Sequence, residues 1–183
     1  MHKETICLTI VDKDLMSVSL IYSVFHSFGS GFASSKYGIN FQNRGAGFTL
    51  EKNHPNEVGP KKRPMHTIIP GMLKKDNKIL MPFCVMGGAY QATGHSRFVS
   101  NIVDFNLHPQ SSIDAPRSFA DGDVLKLERG YENNICRGLI DLGHKIIIPD
   151  IPIGGAQAIF IDYKNGTLVG SSDARKDGAS LGY

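Results

Sequence analysis

The chain has 183 residues, 41% hydrophobic and 20% charged, enough for a sizeable core and ordinary for a folded globular protein. Its formal charge of +3 is too small to argue for a nucleic-acid partner, and the one basic run, Lys61-Lys-Arg63, is short, bounded by prolines and reads as a solvated loop. No run of 18 apolar residues occurs, so no membrane span is expected.

Thr5 to Val11 alternates Thr5, Cys7 and Thr9 with Ile6, Leu8 and Ile10, the period-2 pattern of a strand. Asp12-Lys-Asp14 supplies turn chemistry and Ser17 to Val24 alternates again, which predicts a β-hairpin ended by Phe28-Gly-Ser-Gly31. A small-residue loop to Gly38 leads to a short predicted strand at Ile39–Gln42, and the Asn, Pro and Gly of Lys52 to Pro64 predict a long irregular connection. Thr67–Ile69 and Ile79–Val85 read as a second hairpin turning at Lys74–Asn77 and ending in Met86-Gly-Gly88.

From Gly94 to Leu107 the period changes: Phe98, Val99, Ile102, Val103 and Phe105 fit one side of a helix that His95 begins and His108-Pro109 ends. Asp121-Gly-Asp123 turns into a strand at Val124–Leu127. A helix follows over Tyr131–Leu142 with Gly143 as its C-terminal cap. Three more strands are predicted at Lys145–Ile148, Ala156–Asp162 and Thr167–Ser171, the last two joined by Lys164-Asn-Gly166. Hairpins with two interposed helices give an α+β domain on antiparallel sheet, a single domain over residues 1–183.

The three cysteines lack metal-ligand spacing, and an odd count argues against a closed disulfide framework; Cys7 and Cys84, in apolar runs, read as inert core thiols. None of the seven histidines pairs at i, i+3 or i, i+4 on a helix, so no metal site is expected, nor any cofactor. By residue type alone, Thr5 and Ser23 are ordinary strand residues and Gly87-Gly88 an ordinary loop.

Seven blocks taken together, and in this order, resemble the small C-terminal subunit of γ-glutamyltranspeptidases (glutathione hydrolases). They are Thr5-x-x-x-Thr-x-Val-Asp12, Phe28-Gly-Ser30, Gln42-Asn-Arg-Gly-Ala-Gly-Phe48, Gly59-Pro-Lys-Lys-Arg-Pro64, Met86-Gly-Gly88, Asp114-Ala-Pro-Arg117 and Ser172-Asp-Ala-Arg175. The Asn-Arg-Gly-Ala-Gly-Phe block is similar to the branch of transpeptidase-like proteins and acylases. The resemblance implies half of a four-layer αββα N-terminal-nucleophile hydrolase, the rest supplied by a large subunit, acting on a small-molecule amide.

It further implies that Thr5 is the nucleophile, with its own α-amino group as base, so that Met1–Glu4 must first be removed. Ser23 matches the family's second Thr, which supports the nucleophile, and Gly87 and Gly88 match the glycines whose N–H groups form the oxyanion hole. Substrate recognition departs from the glutathione-cleaving members. Arg44 and Gly47 stand where two acidic side chains would hold an α-ammonium, Phe25 replaces an Asn, and His66-Thr67 replaces paired serines that hold the substrate carboxylate. Arg44 can instead take a carboxylate bidentately, or an internal ion pair. Three readings follow: a γ-glutamyltranspeptidase-like hydrolase or acyl transferase, a catalytically inactive fragment or structural partner, and an acylase for a non-glutamyl amide.

Overall fold

A computed structural model describes residues 5–183; the expectation for Met1–Glu4 lies outside them. The chain opens with strands β1 (Thr5–Val11) and β2 (Ser17–Ser23), paired antiparallel with Thr5 opposite Ser23. The predicted turn chemistry is present: Asp12 Oδ1 accepts from the Asp14 and Met16 N–H groups at 2.9 and 2.8 Å. Between this hairpin and residue 70 the only helix among the described residues is a short 3₁₀ turn, Arg44–Gly47. The strand expected at Ile39–Gln42 reduces to one bridge, Ala33 to Asn40, flanked by backbone hydrogen bonds from Phe41 N to Phe32 O and from Ser34 N to Ile39 O.

β3 (Pro70–Lys75) and β4 (Lys78–Met86) form the second hairpin. Asp76 and Asn77 both have positive φ, 49° and 62°, the two-residue turn whose twist suits a hairpin. That turn sets the register and pairs Pro70 with Cys84, so Thr67–Ile69, expected as strand, lies just before it. Helix α1 is Tyr90–Val103, starting earlier than its periodicity suggested, directly after the paired glycines. His95 therefore sits inside the helix and does not begin it. Phe98 is buried and Val99 and Ile102 pack on the core, whereas Val103 and Phe105 are exposed.

Pro109 opens helix α2 (Pro109–Asp114) instead of closing the previous one, with His108 as its N-cap. β5 (Ser118–Asp121), which shows no alternation of its own, pairs with β6 (Val124–Leu127) across the expected turn. Helix α3 (Asn133–Asp141) and the short β7 (Ile146–Ile147), which adds parallel to β6, come next. β8 (Gly155–Asp162) and β9 (Thr167–Ser172) complete a four-stranded antiparallel sheet of order β3-β4-β8-β9. The fold is α+β on antiparallel sheet, with one parallel pair.

Alternation along β4 separates two faces. Met81, Phe83 and Val85 meet Tyr90, Phe98, Ile113, Ala156 and Ala158 in the core beneath α1 and α2. Cys84 points the other way and is disulfide-bonded to Cys7 on β1. This corrects the reading of both as free thiols: the odd cysteine is Cys136. A bond spanning 77 residues of sequence is worth roughly 4 kcal/mol on chain-entropy grounds. Ser19 Oγ also donates to Phe83 O at 2.8 Å. The hairpin thus turns its face of small and polar side chains towards the sheet, and leaves Ile6, Leu8, Ile10, Val18, Leu20 and Tyr22 40–57% exposed on the outside.

The buried His95 accepts from the Val85 N–H through Nε2 (3.2 Å), which leaves the proton on Nδ1. Burial lowers its pKa, opposed in part by a hydrogen bond to the Ile69 backbone. An unfolded histidine takes up a proton below about pH 6.5, while this one stays neutral to lower pH. Stability is therefore expected to fall as pH drops from about 6.5 through the lowered native value. His95→Gln should flatten that part of the curve. Melting temperatures measured across this range for the two proteins test this; parallel curves would refute it.

Candidate active site

The register of the first hairpin places Thr5 and Ser23 side by side on its inner face, and Thr5 Oγ1 donates to Ser23 Oγ at 3.2 Å. Ser23 Oγ also accepts from the Phe25 N–H (3.0 Å) and from Arg44 Nη2 (3.3 Å). Thr5 Oγ1, the Phe25 N–H and Arg44 Nη2 meet at the Ser23 hydroxyl, which makes Ser23 the hub of the cluster. Thr5 and Arg44, from different parts of the chain, are thereby joined through the Ser23 hydroxyl.

Arg44 is held by its surroundings. Its guanidinium lies over the ring of Phe25, 4.9 Å from the centroid, and Phe25 stacks on His26 at 4.4 Å. Asn43, the residue before Arg44, accepts from the His26 N–H through Oδ1 (3.0 Å), and its own N–H donates to Val24 O (3.2 Å). Burial lowers the Arg44 pKa. Phe25 adopts φ +77°, a left-handed conformation rare for a bulky residue. Sequence reasoning noted Phe25 only as a departure from the family; no local pattern announces a left-handed phenylalanine or its role as a platform.

Gly87 and Gly88 follow β4 and lead into α1. Both have positive φ, 131° and 62°, and a Cβ on Gly87 would lie 2.7 Å from Gly154 Cα, so the turn needs glycine there. Gly87 O accepts from Tyr90 N and Gly88 O from Gln91 N. Across a trans peptide the Gly88 N–H points opposite to the Gly87 carbonyl, hence away from the helix. β1 and β4 run in opposite senses where they touch: Cys7 is bonded to Cys84, and Ser19, the partner of Thr9, contacts Phe83. The Thr5 end of β1 and the Gly87-Gly88 end of β4 accordingly lie at the same end of the stack.

His66 and Thr67 part company. Thr67 reaches the start of α1: the fully buried Gln91 satisfies its neighbours with its amide nitrogen towards Thr67 O (2.6 Å) and Val85 O (3.1 Å). His66 is exposed and joins no hydrogen bond to the cluster among the described residues. Gly47 is near Met65 O and the Phe25 ring and offers no acceptor side chain. Among the described residues no group of three His, Cys, Asp or Glu side chains is placed to hold a metal.

The family model for gamma-glutamyltranspeptidase matches residues 1–183. The glutathione hydrolase-like YwrD proenzyme of Bacillus subtilis is 32% identical over 188 residues, covering 98% of this chain and 36% of that protein. The oxamate amidohydrolase proenzyme of Klebsiella pneumoniae is 33% identical over 189 residues, with coverage of 98% and 36%. The crystal structure of cephalosporin acylase from Bacillus halodurans superposes with a TM-score of 0.81 at 39% identity, over 91% of this chain and 32% of that one. A gamma-glutamyltranspeptidase from Pseudomonas nitroreducens shares the fold, with a TM-score of 0.86 at 21% identity, over 97% of this chain and 98% of that one. The chain spans 36% of the length of the first two relatives. By its match over residues 1–183, the chain belongs to the gamma-glutamyltranspeptidase family.

Proposed function

We propose that this chain is the nucleophile-bearing segment of an amide hydrolase or acyl transferase, with Thr5 as the N-terminal nucleophile once the Glu4–Thr5 peptide bond is cut. The observation that carries this is the Thr5–Ser23–Arg44 hydrogen-bonded cluster at the end of the first hairpin. A threonine hydroxyl is a weak nucleophile without a base beside it. The freed α-amino group of Thr5, with a pKa of about 8, is partly neutral near pH 7 and within reach of its own side chain.

In the proposed cycle, Oγ1 attacks the amide carbonyl and its proton passes to the α-amine. The tetrahedral oxyanion is held by backbone donors at Gly87-Gly88. On collapse the C–N bond breaks, the leaving amine takes the proton, and an ester on Thr5 remains. Water or an acceptor amine then attacks the ester, giving acid or new amide and regenerating the hydroxyl. Ser23 holds Oγ1 in line, while Arg44 and Thr67 border the acyl pocket. His66 is dropped from that role by its exposure.

A large segment completes the enzyme in this reading. The exposed apolar outer face of β1 and β2 is the kind of surface that a second sheet or helical layer covers. The substrate is a small-molecule amide. Arg44 and Gly47, where acceptors for an α-ammonium would stand, favour an acylase for a non-glutamyl amide. The relatives named for oxamate amidohydrolase and cephalosporin acylase support that breadth.

Intact-mass analysis tests the assignment. Purified protein is expected to have lost Met1–Glu4 and, on treatment with an activated acyl ester, to gain one acyl group on the Thr5 peptide. Equal labelling of Thr5→Ala, or a retained amino-terminal peptide in an active preparation, would refute it.

A further inference from the structure

We infer that Arg44, seated on the ring of Phe25, is a carboxylate subsite, and that the substrates are amides of short dicarboxylic acids lacking an α-ammonium. This rests on the reading of Thr5 as nucleophile.

The charge around Arg44 is unbalanced. Among the described residues, Arg44 Nη1 is buried with no hydrogen-bond partner, and no carboxylate lies within ion-pair distance of the guanidinium. Arg117 and Arg175 show the usual arrangement of an arginine drawn into the interior, whereas the half-buried Arg97 donates to the Tyr131 hydroxyl. Arg117 pairs with Asp173 and donates to Ile153 O and Ile113 O; Arg175 pairs with Glu128 and Asp173. A buried N–H of a half-buried cation that has no acceptor is costly, and an arriving anion would satisfy it.

The Phe25 ring lies against the guanidinium, 4.9 Å from its centre, and fixes the plane of a fork whose shape matches a carboxylate. Phe25 keeps its strained φ of +77° in doing so, and sparsely populated backbone conformations cluster at ligand clamps. Asn43 and His26 anchor the loops on either side, so the fork is pre-positioned.

Arg44 Nη2 and Thr5 Oγ1 both bond to Ser23 Oγ, so the cation is no farther from the nucleophile than two hydrogen bonds laid end to end. A carboxylate on Arg44 then belongs to the same short acyl chain as the carbonyl under attack. An ammonium on that chain would lie close to the guanidinium and be repelled.

The test uses the processed enzyme with its partner segment. Succinyl and butyryl p-nitroanilides differ by a carboxylate in place of a methyl group. The wild type is expected to favour the succinyl compound by about 10- to 100-fold in kcat/KM, the range of a charge-assisted pair. Arg44→Gln should bring that ratio towards one, and Arg44→Lys should keep a smaller preference. Succinate binding, followed by calorimetry in the same proteins, should weaken in parallel. An unchanged ratio in Arg44→Gln, or succinate binding that does not depend on residue 44, would overturn the subsite. Arg44-dependent succinate binding without turnover of either anilide would support the subsite and overturn the amidase reading instead.

Discussion

Asp173→Asn is expected to lower the stability of the folded chain by about 3–5 kcal/mol, the cost of breaking a buried ion pair from one side. Asp173 is fully buried. Its Oδ2 pairs with Arg117 Nη2 and accepts from the Ala156 N–H at 2.9 Å, while Oδ1 accepts from the Arg175 N–H (3.0 Å) and Nη1 (3.2 Å). One carboxylate therefore joins the α2–β5 connection, the start of β8 and the residues after β9. An amide of the same shape keeps the packing but leaves the Arg117 charge uncompensated in the interior.

Glu128 does not substitute for Asp173, because it is committed to Arg175, to the Arg117 N–H (3.0 Å) and to the Ile153 N–H (2.8 Å). Burial works against the Arg175 charge, but Glu128 and Asp173 outweigh it and hold its pKa above the ordinary value. With total stabilities of about 5–15 kcal/mol usual for a domain, such a loss should be plain in urea unfolding. Asp121→Asn, which breaks the half-exposed pair with Lys126, serves as the comparison and should cost under about 1 kcal/mol. Equal effects of the two substitutions would show that the buried network carries no special weight.

Gly88→Val is expected to reduce turnover of the active enzyme by about 10²–10³, the effect of losing one oxyanion donor. Gly88 has φ +62°, and a β-branched residue cannot hold that conformation without strain. The peptide between Gly87 and Gly88 should rotate, and its N–H, now directed away from α1, would leave its place. Thr5 and Ser23 lie on another strand and keep their hydrogen bond, so substrate binding should change much less than turnover. Thermal melting and intact mass establish that the variant still folds and still exposes Thr5. A folded, processed variant with near-normal turnover would place the oxyanion donors elsewhere.

Much of the architecture was legible in the residues themselves. The period-2 runs of Thr5–Val11 and Ser17–Ser23 specify strands wherever the chain goes, and Asp12, Asn77 and Gly166 mark turns by their own chemistry. These are local effects, so local pattern is enough to read them. The family resemblance singles out Thr5, Ser23, Gly87, Gly88 and Arg44, of which Thr5, Ser23 and Arg44 share one hydrogen-bonded cluster. Helix ends were less legible, because α1 begins where the glycine turn releases the chain and not where its apolar face begins.

Tertiary structure alone decided the rest. Alternation shows that a hairpin has two faces but not which is inside; here the small, polar face meets the sheet, held there by the Cys7–Cys84 bond and Ser19. That bond joins residues 77 apart, and no spacing rule connects them. The pairing of Arg117 with Asp173, and the stacking of Arg44 on a left-handed Phe25, depend equally on long-range placement. Side-chain type sets what each residue can do, but burial and the identity of its neighbours set whether a cation is neutralised, as at Arg117, or left ready for an incoming anion, as at Arg44.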